Sequence, residues 1–393
     1  MRILQIYDLD PLHRIGGIEV AIYELSRHLA LLGHEVTVVS GADGVVSEHI
    51  REGVRFITID RSGIVRATRS LPGLSLARQA VFLPVLISMQ KEKYDIYHGH
   101  VYTSGIAANI LARRHHGIAV NTIHGSYYPA WNQLADPLTA AFYRMGEKTL
   151  APYLARISDL QIHACHYFAE QVIKWGAQPD KIRVILNGVD TNRFDPSKIR
   201  VEKKFECPVI ITARRLVKKN GVDSLLRAMP YILDQVKCKL LIIGDGPERS
   251  GLIHLVEKLG IEHSVDFLGA IPHNDIARYI ALADIAVIPS IVEASSIFML
   301  ESMAMGKSVV ATGAWGLAEI INGKNGVLTD AAHLGEAIAT LLFDEKKQKE
   351  LGENARQYVI KNHSWEKIAK RVESEYLRLK THSPIDEDLC KVR

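Results

Sequence analysis

The sequence predicts an α/β protein built from two doubly wound parallel sheets. Short apolar runs alternate with longer segments whose apolar residues recur at helical spacing, which is the pattern of βαβ units. These runs form two series, separated between Asp190 and Pro208 by a charged stretch of weak periodicity. The chain has 393 residues, whereas a single core rarely grows beyond roughly 250–300 residues. We therefore expect one domain over residues 1–195 and another over residues 206–362.

The first series opens with a strand, a Gly-Gly turn and an amphipathic helix from Glu19 to Leu32, which Gly33 ends. Its predicted strands are Arg2–Tyr7, Val36–Ser40, Val54–Ile59, Ile96–His98, Ala119–Ile123, Leu160–Ala164 and Arg183–Ile185. The predicted strands of the second series are Val209–Thr212, Leu240–Ile243, Val265–Phe267, Ile285–Pro289 and Val309–Ala311. A last helix is expected over Trp365–Leu379.

Composition narrows the function classes. A hydrophobic content of 47% and a charged content of 23% are typical of a soluble globular enzyme. The net charge of +4 does not by itself indicate a nucleic-acid partner, so none is expected. Cys165, Cys207, Cys238 and Cys390 form no Cys-x-x-Cys pair, which favours reduced thiols over a disulfide framework or a zinc site. With no secretory signal and no apolar run of about 18 residues, we expect a cytoplasmic protein.

The most informative segment contains two glutamates eight positions apart. Glu293 lies in a loop of small residues after an apolar strand, and Glu301 lies inside an apolar helix. A charge is costly there unless it has a polar partner. Carboxylates accept hydrogen bonds from sugar and ribose hydroxyls, whereas loop N–H groups and a helix N-terminus can hold a phosphate. The two carboxylates therefore favour a neutral, hydroxyl-rich ligand, and the loop and helix N-terminus beside them can hold a phosphate.

Other unusual residues also follow predicted strands, where ligands of open α/β sheets bind. Gly16 and Gly17 let backbone N–H groups approach an anion, and Gly244 allows a close backbone approach in the second half. No Gly-x-Gly-x-x-Gly follows the first strand, which disfavours a nicotinamide dehydrogenase. Three histidines are predicted at strand ends, where they can hydrogen-bond hydroxyls. They are His98, His100 and His124.

A cationic loop follows the first strand of the second series. It contains Arg214, Arg215, Lys218 and Lys219, just before Gly221. Arginine can bind a diphosphate through two parallel hydrogen bonds, and lysine acts as a point charge. The loop is predicted to open onto the same cleft edge as the two glutamates.

Together these segments resemble the retaining family 4 glycosyltransferases of the GT-B fold, over nearly the whole chain. The matching segments, in order, begin at Gly16, Leu32, Tyr94, Thr122, Asn187, Arg215, Gly244, Phe267 and Glu293. The resemblance implies two Rossmann-like domains facing a central cleft, with a last helix over residues 365–380 that crosses back onto the first domain. It also implies transfer of a hexose from a nucleoside diphosphate sugar with retention of configuration, and no metal ion or other cofactor.

The resemblance further implies roles for single residues. Glu301 is expected to bind the ribose, and Glu293 the donor sugar. Arg215 and Lys219 are expected to neutralise the diphosphate with the N–H groups of Gly16 and Gly17, and His124 to contact the sugar near its reacting carbon. Further donor-binding residues are Gly244, Ala270, Ile271, Ser295, Ser296 and Ile297. On the acceptor side the expected residues are His98, His100 and Tyr127.

The sequence departs from the family pattern at two places. Asn220 stands where the family has a lysine before Gly221, so the cation moves to Lys219 or Lys218, and Arg214 with Lys219 is an alternative pair. The family's Gly-Phe-Gly after the first glutamate is replaced by Ala294-Ser-Ser296. We expect the donor-sugar pocket to differ in shape there.

The acceptor is expected on the first domain, as a sugar or a lipid-linked sugar used in glycan or glycolipid biosynthesis. Residues 61–89 contain four arginines among bulky apolar residues and no acid, a pattern that suits an anionic membrane surface. Packing on the core is the competing interpretation of that segment. Peripheral contact would place the protein at the inner face of the cell membrane. Two alternative functions stay open, a nucleotide-sugar epimerase and a catalytically silent subunit that binds nucleotide sugars.

Overall fold

The structure is a computed structural model that describes residues 1–12, 16–42, 44, 46–60, 87, 91–202, 205–313 and 315–381. Within these residues two sheets are present, one in each half of the chain. The predicted basic segment over residues 61–89 lies almost wholly outside the described residues. The α/β class with two Rossmann-like sheets is confirmed, whereas the domain limits at residues 195 and 206 stay a prediction.

The described part of the first sheet has the strand order β3-β4-β2-β1-β5-β6-β7-β8. Its strands are β1 (Arg2–Ile6), β2 (Glu35–Ala42), β3 (Ser47–Arg51), β4 (Val54–Asp60), β5 (Ile96–His100), β6 (Ile118–Ile123), β7 (Leu160–His163) and β8 (Ile182–Val184). Strand β3 pairs antiparallel with β4, and the other pairs are parallel. The order reverses at β1, so the carboxyl ends of β1 and β5 mark a topological switch point where ligands usually bind.

The helices of this half connect successive strands. They are α1 (Gly17–Leu31), α2 (Val101–His115), the short α3 (Trp131–Leu134), α4 (Pro137–Ile157) and α5 (His166–Lys174). Helix α1 buries Val20, Ile22, Leu25 and Leu29 against the sheet. Ile22, Leu25 and Leu29 are spaced by three and four residues and so lie on one helix face, which explains why this segment folds as an amphipathic helix.

The described part of the second sheet is parallel, in the order β11-β10-β9-β12-β13-β14. Its strands are β9 (Val209–Ala213), β10 (Lys239–Ile243), β11 (Val265–Gly269), β12 (Ile285–Ile288), β13 (Ser308–Thr312) and β14 (Val327–Thr329). Its helices are α6 (Val222–Gln235), α7 (Arg249–Leu259), α8 (His273–Leu282), α9 (Ile297–Ala304), α10 (Leu334–Phe343) and α11 (Glu345–Asn362). All four residues of β12 are buried, as expected for a central parallel strand covered on both faces.

The last helix, α12 (Trp365–Thr381), packs on the first half of the chain. Trp365, Ile368 and Val372 join the core that contains Ile22 and Leu25 of α1. The hydroxyl of Tyr376 is buried 2.5 Å from Nδ1 of His98. The last helix therefore packs in the core of the first half, although it follows the second half in the sequence.

Candidate active site

Loops at the carboxyl ends of the second sheet pack backbone against backbone. Gly221 has a φ of +63°, and a Cβ on it would lie 1.9 Å from the Pro289 carbonyl oxygen. Gly244 has a φ of +126°, and its Cβ would lie 2.0 Å from the carbonyl oxygen of Arg214. Any larger side chain would clash there, and these φ values favour glycine. The glycines thus bring the loop after β9 against the loops after β10 and β12.

Arg214 and Glu293 form a buried ion pair in this region. Nη2 of Arg214 donates to Oε2 of Glu293 over 2.8 Å, and only 6% of the arginine side chain is exposed. Burial lowers the pKa of Arg214, and the Glu293 carboxylate opposes that shift. Nε and Nη1 are buried without an acceptor among the described residues. Two donors of a buried guanidinium are thus available to an anion.

The structure distributes the cations of this loop differently from the expectation that paired Arg215 with Lys219. Arg215 is exposed. Burial of Glu19 in the first half raises the pKa of that carboxyl, and the charge of Arg215 opposes the shift. Nζ of Lys219 lies 4.9 Å from the centre of the Tyr127 ring. Burial lowers the pKa of Lys219, but Tyr127 and Glu293 raise it more, so the net shift is upward. The cations near Glu293 are the buried Arg214 and the half-buried Lys219, the pair named above as the alternative.

Glu301 is buried in α9 and has a partner that the sequence did not suggest. Nε2 of His273, the first residue of α8, hydrogen-bonds Oε1 of Glu301. Burial lowers the pKa of His273, but the Glu301 carboxylate outweighs it and the net shift is upward. The expectation that this buried charge needs a polar partner is met, but the partner is 28 positions away in the sequence.

Arg193 links His273 in the second half to Glu24 in the first half. Nη1 of Arg193 lies 3.1 Å from Nδ1 of His273 and 3.4 Å from Oε1 of Glu24 in α1. Arg27 bonds both Glu24, at 2.9 Å, and Asp190, at 2.8 Å. A chain of hydrogen bonds and ion pairs therefore joins Glu301 to α1.

The Gly-Gly turn and the start of α9 face each other. A Cβ on Gly17 would lie 3.7 Å from Cγ1 of Ile297, an ordinary contact. A Cβ on Gly16 would lie 2.5 Å from Oε2 of Glu19, so the backbone of Gly16 is next to a carboxylate. The structure brings the turn to the donor-side helix, but a phosphate at Gly16 would have to share the site with Glu19.

The three predicted histidines form one buried row. Nδ1 of His100 lies 2.9 Å from Nε2 of His124, and Nε2 of His100 lies 2.6 Å from Oε1 of Gln5. His98 stacks on His100 with ring centres 4.4 Å apart. Burial lowers the pKa of His98 to about 3 and that of His124 to about 4, so both rings are neutral.

The row differs from the prediction in one respect. His98 lies inside β5, where its ring nitrogens face Tyr376 and Thr122, so it is not at a strand end. His100 ends β5 and His124 follows β6. Nδ1 of His124 is buried without a partner among the described residues, which leaves it available to a ligand hydroxyl.

The remaining predicted donor residues lie around the start of α9 and the end of β11. The Ser296 hydroxyl caps α9 by accepting from the Met299 N–H at 3.3 Å, so it is already committed. Oγ of Ser295 is buried and has no partner in the described part of the chain. Ala270 is exposed and Ile271 half-buried, directly after β11. The loop before α9 also contacts the first half, because a Cβ on Gly125 would lie 3.5 Å from Cβ of Ala294.

Two kinds of feature are absent from the described residues. No set of three or more His, Cys, Asp or Glu side chains there comes together as a metal site. No helix in the same residues is long and apolar enough to cross a membrane.

Two Rossmann-like halves that meet at the loops after their strands have the architecture of the GT-B class. The family model described as glycosyltransferase family 4 matches residues 15–193, and that of the glycosyl transferases group 1 matches residues 195–358. The chain therefore belongs to the group 1 glycosyltransferases of the family 4 type, and it is an enzyme of the glycosyltransferase class.

Individual proteins agree with this assignment. An uncharacterised glycosyltransferase of Methanocaldococcus jannaschii is 29% identical over 93% of this chain and 95% of its own length. A phosphatidylinositol N-acetylglucosaminyltransferase component of Arabidopsis thaliana is 28% identical over 96% of this chain and 82% of its own. Sucrose-phosphate synthase of Thermosynechococcus elongatus has a TM-score of 0.83 at 23% identity, and the match covers 98% and 100% of the two chains. The last likeness shows the GT-B fold.

Proposed function

We propose that this enzyme transfers a hexose from a nucleoside diphosphate sugar to a sugar- or lipid-linked acceptor in glycan or glycolipid biosynthesis. The proposed reaction retains the anomeric configuration and uses no metal ion. The observation that supports it most is the buried Arg214–Glu293 pair, in which two guanidinium donors have no acceptor among the described residues. A diphosphate offers the acceptor oxygens that these donors lack.

The donor is proposed to lie across the start of α9. Oε1 of Glu301 is held by His273, which leaves Oε2 to accept hydrogen bonds from the ribose. The backbone at Ala270 and Ile271 would contact the base, and Oγ of Ser295 and Nδ1 of His124 would contact the sugar. Each of these last two atoms is buried without a partner in the described chain, so a ligand hydroxyl would satisfy it.

Charge stabilisation at the leaving group is the proposed source of rate. The bond between the anomeric carbon and the diphosphate oxygen breaks, and negative charge develops on the diphosphate. Arg214 and Lys219 would stabilise that charge from fixed positions in a site shielded from water, where fixed donors act most strongly. The acceptor oxygen forms the new bond to the anomeric carbon on the face that the diphosphate leaves, and its proton passes to the departing diphosphate oxygen.

A lipid-linked acceptor is proposed as one of the two options. It is supported by the Arabidopsis relative, whose name couples phosphatidylinositol with N-acetylglucosaminyl transfer. That name applies to the relative.

A panel of donors tests the proposal. The protein is mixed with UDP-, GDP- and ADP-sugars, and its melting temperature is recorded, because a ligand that binds only the folded state stabilises it. At a donor concentration about 100 times Kd, the free energy of unfolding should rise by about 2.7 kcal/mol. We expect Glu301→Ala to abolish the shift for the cognate donor.

The matched control is Glu336→Ala, an exposed glutamate on α10 in the same half. It should leave the donor-dependent shift unchanged. If no nucleotide sugar and no nucleoside diphosphate raises the melting temperature, the proposed function is wrong. Binding without release of nucleoside diphosphate would instead favour the catalytically silent subunit.

A further inference from the structure

We propose that the outer face of α4 docks on an anionic lipid bilayer, with the mouth of the cleft at the membrane surface. This deepens the proposed function and rests on it for the lipid-linked acceptor. Vesicle binding itself does not require sugar transfer, so the two proposals can fail separately.

An exposed apolar stripe marks this face. Leu138 is 82% exposed, Phe142 65% and Met145 64%, and Tyr153 further along is also exposed. The positions 138, 142 and 145 follow helical spacing, so these side chains lie on one face of α4. The opposite face packs Ala140, Ala151, Leu154 and Ala155 into the domain. Large apolar residues on the solvent side of a helix, aligned in this way, indicate an interaction surface.

Exposed cations lie beside the stripe along the body of α4, and the exposed acid Asp136 lies at its first turn. Lys148 and Arg156 are exposed on α4, three residues after Met145 and Tyr153 respectively, and so lie beside the stripe. The acid within α4 is Glu147, which is buried and bonded internally, and Asp136 caps the helix. Apolar residues flanked by lysine and arginine are what an amphipathic helix needs to bind an anionic bilayer.

The neighbouring helix adds to the same end of the surface. Nδ2 of Asn109 in α2 donates to Oγ of Ser158, just past the end of α4, over 2.9 Å. Arg113 and Arg114 follow on the last turn of α2 and are exposed. The carboxyl-terminal parts of α2 and α4, each with exposed arginines, therefore lie next to each other.

Aromatic contacts connect the stripe to the candidate active site. The ring of Phe142 lies 5.7 Å from that of Tyr143, which stacks on Trp131 at 4.5 Å. Trp131 lies 5.5 Å from Tyr127, and Nζ of Lys219 lies 4.9 Å from the Tyr127 ring. The stripe therefore begins within a few side chains of the proposed diphosphate site. A lipid-linked acceptor held in a bilayer under α4 would lie next to the cleft.

The charge distribution favours a bilayer over a second copy of this chain as the occupant. A symmetric dimer through this face would bring like patches together. Lys148 and Arg156 would then face cations, and such juxtaposition opposes association. A surface of anionic headgroups instead meets the cations while the apolar side chains enter the boundary region.

Flotation with vesicles tests the docking surface. The vesicles are phosphatidylcholine with or without phosphatidylglycerol, and the full chain is used. Wild type should float with the anionic vesicles and be released at high salt. Phe142→Ser should lower the partition coefficient about tenfold through loss of apolar burial. Lys148→Glu should lower it by about tenfold as well, because one attraction becomes a repulsion.

Phe343→Ser is the matched control, because Phe343 at the end of α10 is also 65% exposed but lies in the other half. It should float as wild type does, and both phenylalanine variants should keep the thermal shift with nucleotide sugars. If wild type does not float, or if Phe142→Ser and Phe343→Ser float equally, the proposal is overturned. A dimer in light scattering that Phe142→Ser dissociates, without vesicle binding, would overturn it in favour of a second copy.

Discussion

Adjacent residues on one loop have opposite environments in this enzyme. Arg214 is buried against Glu293, and Arg215 is exposed. The sequence identifies the cationic loop and the positions at which the family has its arginine and lysine. The direction in which each side chain leaves the loop depends on backbone dihedrals, which the sequence pattern does not encode. The same limit explains the missed His273, whose contact with Glu301 depends on how two loops pack. That Glu301 has a polar partner was predictable, because a carboxylate inside an apolar helix is costly without one.

The cation assignment can be tested with conservative variants. Arg214→Lys keeps a charge but loses the paired donors, and Lys219→Ala removes a charge next to Glu293. Each should lower turnover by about tenfold or more, as loss of a charge-stabilising donor does. The measurement is release of nucleoside diphosphate from the donor that the panel identifies. Arg215→Ala serves as the control and should have a much smaller effect. A larger loss in Arg215→Ala than in Arg214→Lys would return the role to Arg215.

At the scale of secondary-structure elements, one buried carboxylate, that of Glu147, accepts the hydrogen bonds that hold the loop between β6 and α4. Oε1 of Glu147 accepts from the Trp131 indole at 2.8 Å and from the Tyr127 N–H at 3.2 Å. Its Oε2 accepts from the Tyr128 N–H at 3.1 Å and from the Ser126 hydroxyl. Burial raises the pKa of Glu147, and these donors oppose that shift. The carboxylate thus fixes the loop that presents Tyr127 to Lys219.

Glu147→Gln should loosen this loop. The amide keeps one acceptor oxygen but turns an NH₂ group toward N–H donors, so buried donors lose their partner. We expect the free energy of unfolding in urea to fall by about 2–3 kcal/mol, within the range for buried groups left unsatisfied. KM for the donor should also rise, because Tyr127 would no longer be held beside Lys219. Glu170→Gln, an exposed change on α5, is the control and should alter neither quantity.

Most strands were predictable because they are buried on both faces and appear as continuous apolar runs. Ile285–Ile288 is the clearest case. Strand β3 (Ser47–Arg51) was not predicted, because all its residues but Ile50 are polar and it is mostly exposed at the sheet edge. Strand β14 was missed because it has three residues, none of them buried. Neither strand has the apolar run or the alternation on which a sequence-based prediction depends.

Across the whole molecule, the two halves are joined by charges as well as by the chain. Glu301 in the second half is linked through His273 and Arg193 to Glu24 in the first. The pKa of His273 is raised above 6.5, because the effect of Glu301 exceeds that of burial. A raised folded-state pKa means that the charged pair stabilises the fold fully below the unfolded pKa. That contribution is lost as the pH rises through the folded pKa.

This linkage predicts a pH-dependent difference between wild type and His273→Gln. The variant keeps an amide donor to Glu301 but cannot carry a charge. At pH values below the unfolded pKa of histidine, wild type should be more stable by about 1 kcal/mol, the difference between charged and neutral hydrogen bonds. At alkaline pH the two should converge. Urea unfolding across this pH range checks it, and parallel curves at all pH values would contradict it.

The chain runs from one half to the other twice, and the two connecting segments are hydrogen-bonded to each other. The Val189 N–H donates to the His363 carbonyl at 2.7 Å, and the Trp365 N–H donates to the Val189 carbonyl at 3.2 Å. Two connecting segments that are bonded side by side resist twisting more than a single segment does. If the halves move apart and close again, as in many enzymes of this kind of architecture, we expect the motion to run mainly about one axis. Each closure would then return Gly17 to Ile297 and Tyr127 to Lys219, so the proposed donor site would be assembled from the same contacts in each catalytic cycle.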